Sequence, residues 1–323
     1  MTPPQIRPAP GWAVAVALGT VYLVWGSTYL GIAVMIQTLP PLVAAGVRYG
    51  TAGLLLLVAV AAWRRARRQS AEPTRAVHLR TAAIVGTLLL LGGNGGVVLA
   101  EQRIPSGVAA LIIGTIPIWM ALLEAVLNRR TPGRLTVAGV AAGTVGVAIL
   151  VVPLQGMTAL DPLGVGLCAM AAISWAIGSV YAQRAPLPRN PFQTSGLQMV
   201  AGGAALLAVG SFRGELTGVD PSTFSTASLL AVAYLIGIGS IVAFSAYAWL
   251  LGHAPTSLIS TYAYVNPVVA VVLGTAFLGE TITPRTLFAF GIILVAVVAM
   301  VSGRPRRPLE APVPALAEAE PAV

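Results

Sequence analysis

Apolar stretches of about 20 residues, the length an α-helix needs to cross the roughly 30 Å hydrocarbon core of a bilayer, follow one another along almost the whole chain. Ten can be placed: Trp12 to Met35, Pro41 to Trp63, Thr81 to Ala100, Ser106 to Leu127, Leu135 to Val152, Leu163 to Tyr181, Pro191 to Phe212, Leu229 to Leu251, Ser257 to Leu278 and Pro284 to Val301. Inside hydrocarbon every backbone N–H and C=O must be satisfied within the protein, so runs of this kind are helical. The expectation is an all-α membrane protein with ten transmembrane helices. Charged residues fill only 9% of the 323 positions and apolar ones 57%, a balance far from that of soluble domains. The first run is too long for a signal-peptide core and lacks a small-residue cleavage site, so it is expected to stay as span one. Residues 303–323, rich in Pro, Ala and Glu, are expected to form a disordered cytoplasmic tail.

All 19 cationic side chains are arginine. Without lysine there is no phosphate-cradling P-loop and no Schiff base to a carbonyl cofactor. Arginine placement instead sets orientation, because short loops rich in cations stay cytoplasmic. With the N-terminus inside, 15 of the 19 fall in cytoplasmic segments, Arg103, Arg213 and Arg285 face out, and Arg48 lies within a span. That arrangement predicts both termini in the cytoplasm of a bacterial cell and gives no nucleic-acid footprint. Cys168 stands alone in an apolar run, and His78 and His253 fit no metal spacing. Asp161 and Asp220, the only aspartates, lie outside the apolar cores. No catalytic residue, metal or cofactor is therefore expected. A membrane-embedded enzyme would need clustered acids, histidines or a nucleophile elbow; a non-transporting scaffold is the other alternative.

Offsetting the sequence against itself by 150 brings Trp25 onto Trp175, Pro41 onto Pro191, Gly46 onto Gly196, Gly53 onto Gly203, Pro105 onto Pro255 and Pro117 onto Pro267. One register across four successive spans points to a duplication, residues 1–152 and 153–302, and five spans per copy would insert the second copy inverted. Inverted repeats typify secondary transporters, whose solute binds near the midplane between the halves.

Further stretches carry a resemblance. Trp25-Gly26-Ser27-Thr28-Tyr29, Gly93-Asn94-Gly95, Pro105-Ser106-Gly107, Ser174-Trp175-Ala176-Ile177-Gly178-Ser179-Val180-Tyr181, Ser260-Thr261-Tyr262-Ala263-Tyr264-Val265-Asn266-Pro267 and Leu278-Gly279-Glu280 resemble the EamA family of the drug/metabolite transporter superfamily, closest to its YedA-like branch. The resemblance implies ten helices, a central cavity and export of amino acids or other small metabolites across the inner membrane. Asn128-Arg129-Arg130 departs from it, standing where many relatives carry a Gly-Glu pair.

Several residues are candidates for contact with a solute. Pro117 and Pro267 lie about ten residues inside their spans, roughly 15 Å deep, where each frees a backbone carbonyl near the midplane. Such interruptions, paired between two halves, point to a transport site, the alternative being a packing kink. Asn94, set among Gly92, Gly93, Gly95 and Gly96, must face the protein interior or a wet cavity. Tyr22, Trp25 and Tyr29 share one helical face with Thr28 beside it, Trp175 and Ser179 repeat that face in the other half, and Tyr262 and Asn266 make a third. Glu124, the one acid well inside a span, is a functional candidate by default, but near the cytoplasmic end it is expected to pair with Arg129 or Arg130. Arg48, roughly 10 Å below the outer surface, must point inward. It is expected to form a salt bridge with Glu101 or, failing that, to face the cavity and hold a substrate carboxylate.

Overall fold

Prolines mark where the helices start. Pro41, Pro162, Pro191 and Pro284 each open a helix, and Pro10, Pro40 and Pro105 stand just before one. The N–H that proline lacks is one the first helical turn leaves unpaired anyway. The computed structural model describes residues 9–69, 74–127, 129, 134–151, 160–254 and 262–302. The expected tail therefore lies outside the described residues, as do Pro105's partner in the repeat, Pro255, and the start of the ninth apolar run.

The described residues form ten long helical stretches, one turn of 3₁₀ helix at Pro221–Thr223 and no strand. In chain order the long stretches are α1 Gly11–Met35, α2 Pro41–Ala66, α3 Ala76–Ala100, α4 Ser106–Leu127, α5 Arg134–Val151, α6 Pro162–Ala182, α7 Pro191–Phe212, α8 from Thr226–Tyr234 through Leu235–Val242 to Ala243–His253, α9 Tyr262–Leu278 and α10 Pro284–Ser302. Seven of these, α1 to α4 and α6 to α8, are long and apolar enough to cross a membrane, and α9 and α10 contain shorter apolar stretches. Large apolar side chains such as Leu23, Leu54, Val58, Leu230, Phe288 and Val295 point outward. A face of this kind suits lipid, which solvates it as well as a protein core would.

Three helices depart from regular α geometry. α3 widens to π form over Thr87–Gly95 and α8 over Leu235–Val242. α4 breaks at Gly114–Thr115 just ahead of Pro117, with Thr115 Oγ1 donating to the Ile112 carbonyl at 2.6 Å. α9, by contrast, runs on through Pro267.

The tightest seam joins α2 to α7. A Cβ on Gly46 would sit 2.9 Å from the Gly203 carbonyl oxygen, and one on Gly53 would sit 2.8 Å from that of Gly196. Only glycine lets two backbones come this close. Elsewhere α1 packs on α8 and α9, α6 on α3 and α4, and α5 on α10. Arg285 Nε donates to the Ile149 carbonyl where α10 meets α5.

Carboxylates tie several helix ends. Glu215, beyond α7, accepts from Leu42 N at 2.8 Å and Val43 N at 3.0 Å, satisfying two donors at the start of α2. Glu280, beyond α9, does the same at α4, accepting from Ser106 N at 2.7 Å and Gly107 N at 3.1 Å. Asp161 caps α6 through Leu163 N and pairs with Arg103 at 2.8 Å. The Arg103 hydrogen bond, then that of Leu163, holds the exposed Asp161 carboxyl below the usual carboxylate range.

Candidate solute cavity

The glycine run of α3 and the small residues of α6 give the cavity its back wall. A Cβ on Gly93 would meet the Trp175 ring at 2.8 Å, and one on Gly96 would meet Ala171 Cβ at the same distance. α6 is therefore seated in the glycine groove, and Ser174 Oγ donates to the Leu88 carbonyl of the widened π turn at 2.8 Å. A π-bulge inserts an extra residue and turns the following side chains to a new face. Here it brings Leu90, Gly93, Asn94 and Val97 to one cavity of about 350 Å3. The bulge in α8 does the same for Gly239, Ser240, Phe244 and Tyr247.

Ten of the candidate contact residues line this space, Trp25, Thr28, Tyr29, Arg48, Asn94, Pro117, Trp175, Tyr262, Asn266 and Pro267, whereas Tyr22 packs against the cluster of Leu18, Val21 and Leu250. Ser179 does not line it either. At its level α6 presses on α3, where a Cβ on Gly178 would come within 2.9 Å of Leu89, leaving no cavity wall for Ser179 to join.

Trp25 is the hub of an aromatic wall. Its ring meets Tyr247 at 5.1 Å, Tyr262 at 5.1 Å edge-on and Phe244 at 5.8 Å edge-on, within the range of favourable ring pairs. Thr28 Oγ1 donates to the Trp25 carbonyl at 2.6 Å, which leaves its lone pairs facing the cavity. Asn266 is buried, and its amide nitrogen donates to the Tyr22 and Tyr262 carbonyls at 3.2 Å each. The side chain of Asn94 makes no hydrogen bond among the described residues, so its donors and acceptor are open to a guest.

Arg48 is 4% exposed, yet it forms no ion pair among the described residues. Nε donates to Ser240 Oγ at 3.3 Å, and the guanidinium lies over the Tyr49 ring at 4.5 Å. The expected salt bridge to Glu101 is corrected by this geometry. Glu101 sits in the turn after α3, while α8 brings Ser240 against the guanidinium and turns the fork toward the cavity. Both Glu101 carboxylate oxygens are shut off from solvent, with no hydrogen-bond partner among the described residues.

Sequence reasoning passed over Tyr49, Ser240, Phe244 and Tyr247; Glu124, for which a loop arginine was the favoured partner and a functional role the alternative, lines the cavity, and Arg130 lies outside the described residues. The sequence offset of 150 held a signal for three of the four residues passed over. Adding 150 to the lining positions Leu90, Asn94 and Val97 gives Ser240, Phe244 and Tyr247. Glu124 and Gln183 line the space toward the C-terminal ends of α4 and α6, whereas residues 106–109 at the N-terminus of α4 do not line it. No group of three or more His, Cys, Asp or Glu is placed to hold a metal among the described residues.

Comparison with known proteins agrees with this architecture. The chain is 39% identical over 301 residues to the uncharacterized inner membrane transporter YedA of Escherichia coli (strain K12), covering 92% of this chain and 94% of that one. Protein PecM of Dickeya dadantii is 28% identical, with 89% and 94% covered, and the uncharacterized transporter YvbV of Bacillus subtilis is 24% identical, with 90% and 92% covered. One solved structure, titled only as the crystal structure of a protein, superposes with a TM-score of 0.58 at 20% identity over 94% of this chain and 100% of that one, which shows a shared fold. The EamA-like transporter family profile matches twice, at residues 11–152 and 162–302, and the chain accordingly belongs to the EamA-like transporter family.

Proposed function

We propose that this membrane transporter is a secondary transporter of the bacterial inner membrane that exports amino acids or related small metabolites by alternating access. In this reading ten helices span the bilayer as two inverted halves, 1–152 and 153–302, with both termini in the cytoplasm. The observation that carries it is a single cavity that draws corresponding positions from both halves, Leu90, Asn94 and Val97 from α3 and Ser240, Phe244 and Tyr247 from α8.

The α2–α7 seam supports the inversion. A two-fold axis requires that if one residue touches a second, their mates touch as well. Gly46 meets Gly203, and their mates at an offset of 150, Gly196 and Gly53, meet each other. Helix packing follows the same exchange: α1 on α9 is matched by α6 on α4, and α1 on α8 by α6 on α3.

The chemistry of the walls supports the solute class. A buried guanidinium with free donors suits a carboxylate, the Asn94 amide suits a polar substituent, and the Trp25 group of rings takes an apolar body. Under the proposed orientation the space reaches Glu124 and Gln183 on the cytoplasmic side and stops short of the first turn of α4 on the outer side, which supports an inward-facing arrangement.

Counterflow in proteoliposomes tests the reading. Purified protein in liposomes preloaded with unlabelled phenylalanine, tryptophan, leucine or glutamate should accumulate the matching labelled amino acid from outside. Failure with every member of the panel would overturn the proposed solute class.

A further inference from the structure

Among the described residues Glu101 is the one acid whose carboxylate has neither solvent nor a partner. Asp161 pairs with Arg103, Asp220 accepts from Ser222 N, Glu215 and Glu280 cap helices, and Glu124 lines the cavity. A carboxylate withdrawn from water with no donor is strongly disfavoured in its charged form, so a group in this setting carries its proton. The titratable and charged groups near enough to act electrostatically on Glu101 are Tyr29 from α1, Arg48 from α2, Cys168 from α6 and Glu280 from beyond α9. Glu280 is engaged at the start of α4. Arg48 is the only cation of the four, and its fork is turned to Ser240 and the cavity.

Glu101 is not itself part of the cavity wall, but Arg48 is, and the two lie within electrostatic reach of each other without forming an ion pair. Two charge states follow. With a proton on Glu101, the Arg48 donors are free for an anion from the cavity. Without it, carboxylate and guanidinium draw together and Arg48 is satisfied from behind. Ser106 Oγ, the third buried oxygen without a partner, lies beside the Glu280 carboxylate near Gly274. The unsatisfied oxygens thus gather around the α3–α4 turn, outside the cavity lining.

We propose that Glu101 is a proton-binding site coupled to the solute: it holds one proton while Arg48 holds an anionic group, and the two cross the membrane together. The proton is taken from water on one side and released to water on the other; with a net anionic solute the pair crosses without net charge, and with a zwitterionic amino acid it carries one positive charge across. An accumulated acid leaving the cell would carry a proton out with it. This rests on the transporter reading of the cavity.

Two measurements test it. In infrared spectra of the reconstituted protein at neutral pH, the wild type should show the C=O stretch of a buried neutral carboxyl, lost in Glu101→Gln and kept in Glu280→Gln. Absence of that band in the wild type, or its persistence in Glu101→Gln, overturns the proton site whether or not any solute is transported. In proteoliposomes, with whichever amino acid of the panel shows counterflow, acidifying the outside should raise net uptake about tenfold in the wild type. Glu101→Gln should keep counterflow and lose this response to pH. Counterflow with no effect of the pH gradient on wild-type uptake overturns the coupling and leaves the transporter reading standing. Absence of counterflow with every probe counts against that reading, and the infrared band then decides the proton site alone.

Discussion

Arg48 carries more of the functional argument than any other side chain. Hydrogen bonds to a charged group contribute about 1.5–3 kcal/mol each, so losing one costs roughly tenfold to a hundredfold in binding. Arg48→Gln should abolish counterflow of a carboxylate-bearing solute while the protein remains well expressed. Arg48→Lys should recover only part of it, because an ammonium lacks the planar fork. Trp25→Ala should lower the rate in the same assay by opening the ring cluster, with no loss of helix content by circular dichroism. Loss of folding in both Arg48→Gln and Trp25→Ala would point to packing roles instead. The inward course of Arg48 was legible in the sequence, since a charge at that depth cannot face lipid. Its partner was not. Which acceptor meets a guanidinium depends on the rotation of α8 against α2, and periodicity along one helix carries no information about its neighbour's azimuth.

At the level of the helices, the starts were legible because proline is tolerated there and almost nowhere else in a helix. The π segments of α3 and α8 were not. They arise where a second helix is pressed into the first, as Ser174 is against Leu88, and nothing within the run Thr87–Gly95 distinguishes it from an α-helix. The same blind spot hid Phe244 and Tyr247, although applying the repeat register to Asn94 and Val97 would have reached both. The break of α4 at Gly114–Thr115 beside an unbroken α9 shows that matching prolines need not have matching effects. The α2–α7 seam offers a direct test of packing. A larger side chain forced into so close a contact costs about 1–3 kcal/mol. Gly203→Leu should lower the thermal midpoint of the purified protein, and Gly166→Ala, where an added Cβ meets nothing within 4 Å, should leave it unchanged. Equal midpoints for the two variants would show that the seam does not hold the halves together.

For the molecule as a whole, the proposed orientation is open to chemical labelling. In a Cys168→Ala background, a cysteine replacing Arg67 after α2 should react with a membrane-impermeant maleimide only from the cytoplasmic side. A cysteine replacing Arg213 after α7 should react only from outside. The opposite pattern would invert the protein in the membrane, and reaction of both from one side would break the alternation on which the repeat depends. One register of tryptophans, prolines and glycines was legible in the sequence, and the glycines it links, Gly46 with Gly196 and Gly53 with Gly203, lie together in the α2–α7 seam.

The aromatic wall is shared between the two parts of the chain, Trp25 from before residue 152 meeting Phe244, Tyr247 and Tyr262 from beyond it, whereas Arg48 and Asn94 both come from the first part. Under the proposed alternating access, a ring seated among these four side chains touches both moving bodies at once. A small carboxylate without a ring would rest against Arg48 and Asn94 and grip one body alone. Such a compound should be held without being carried.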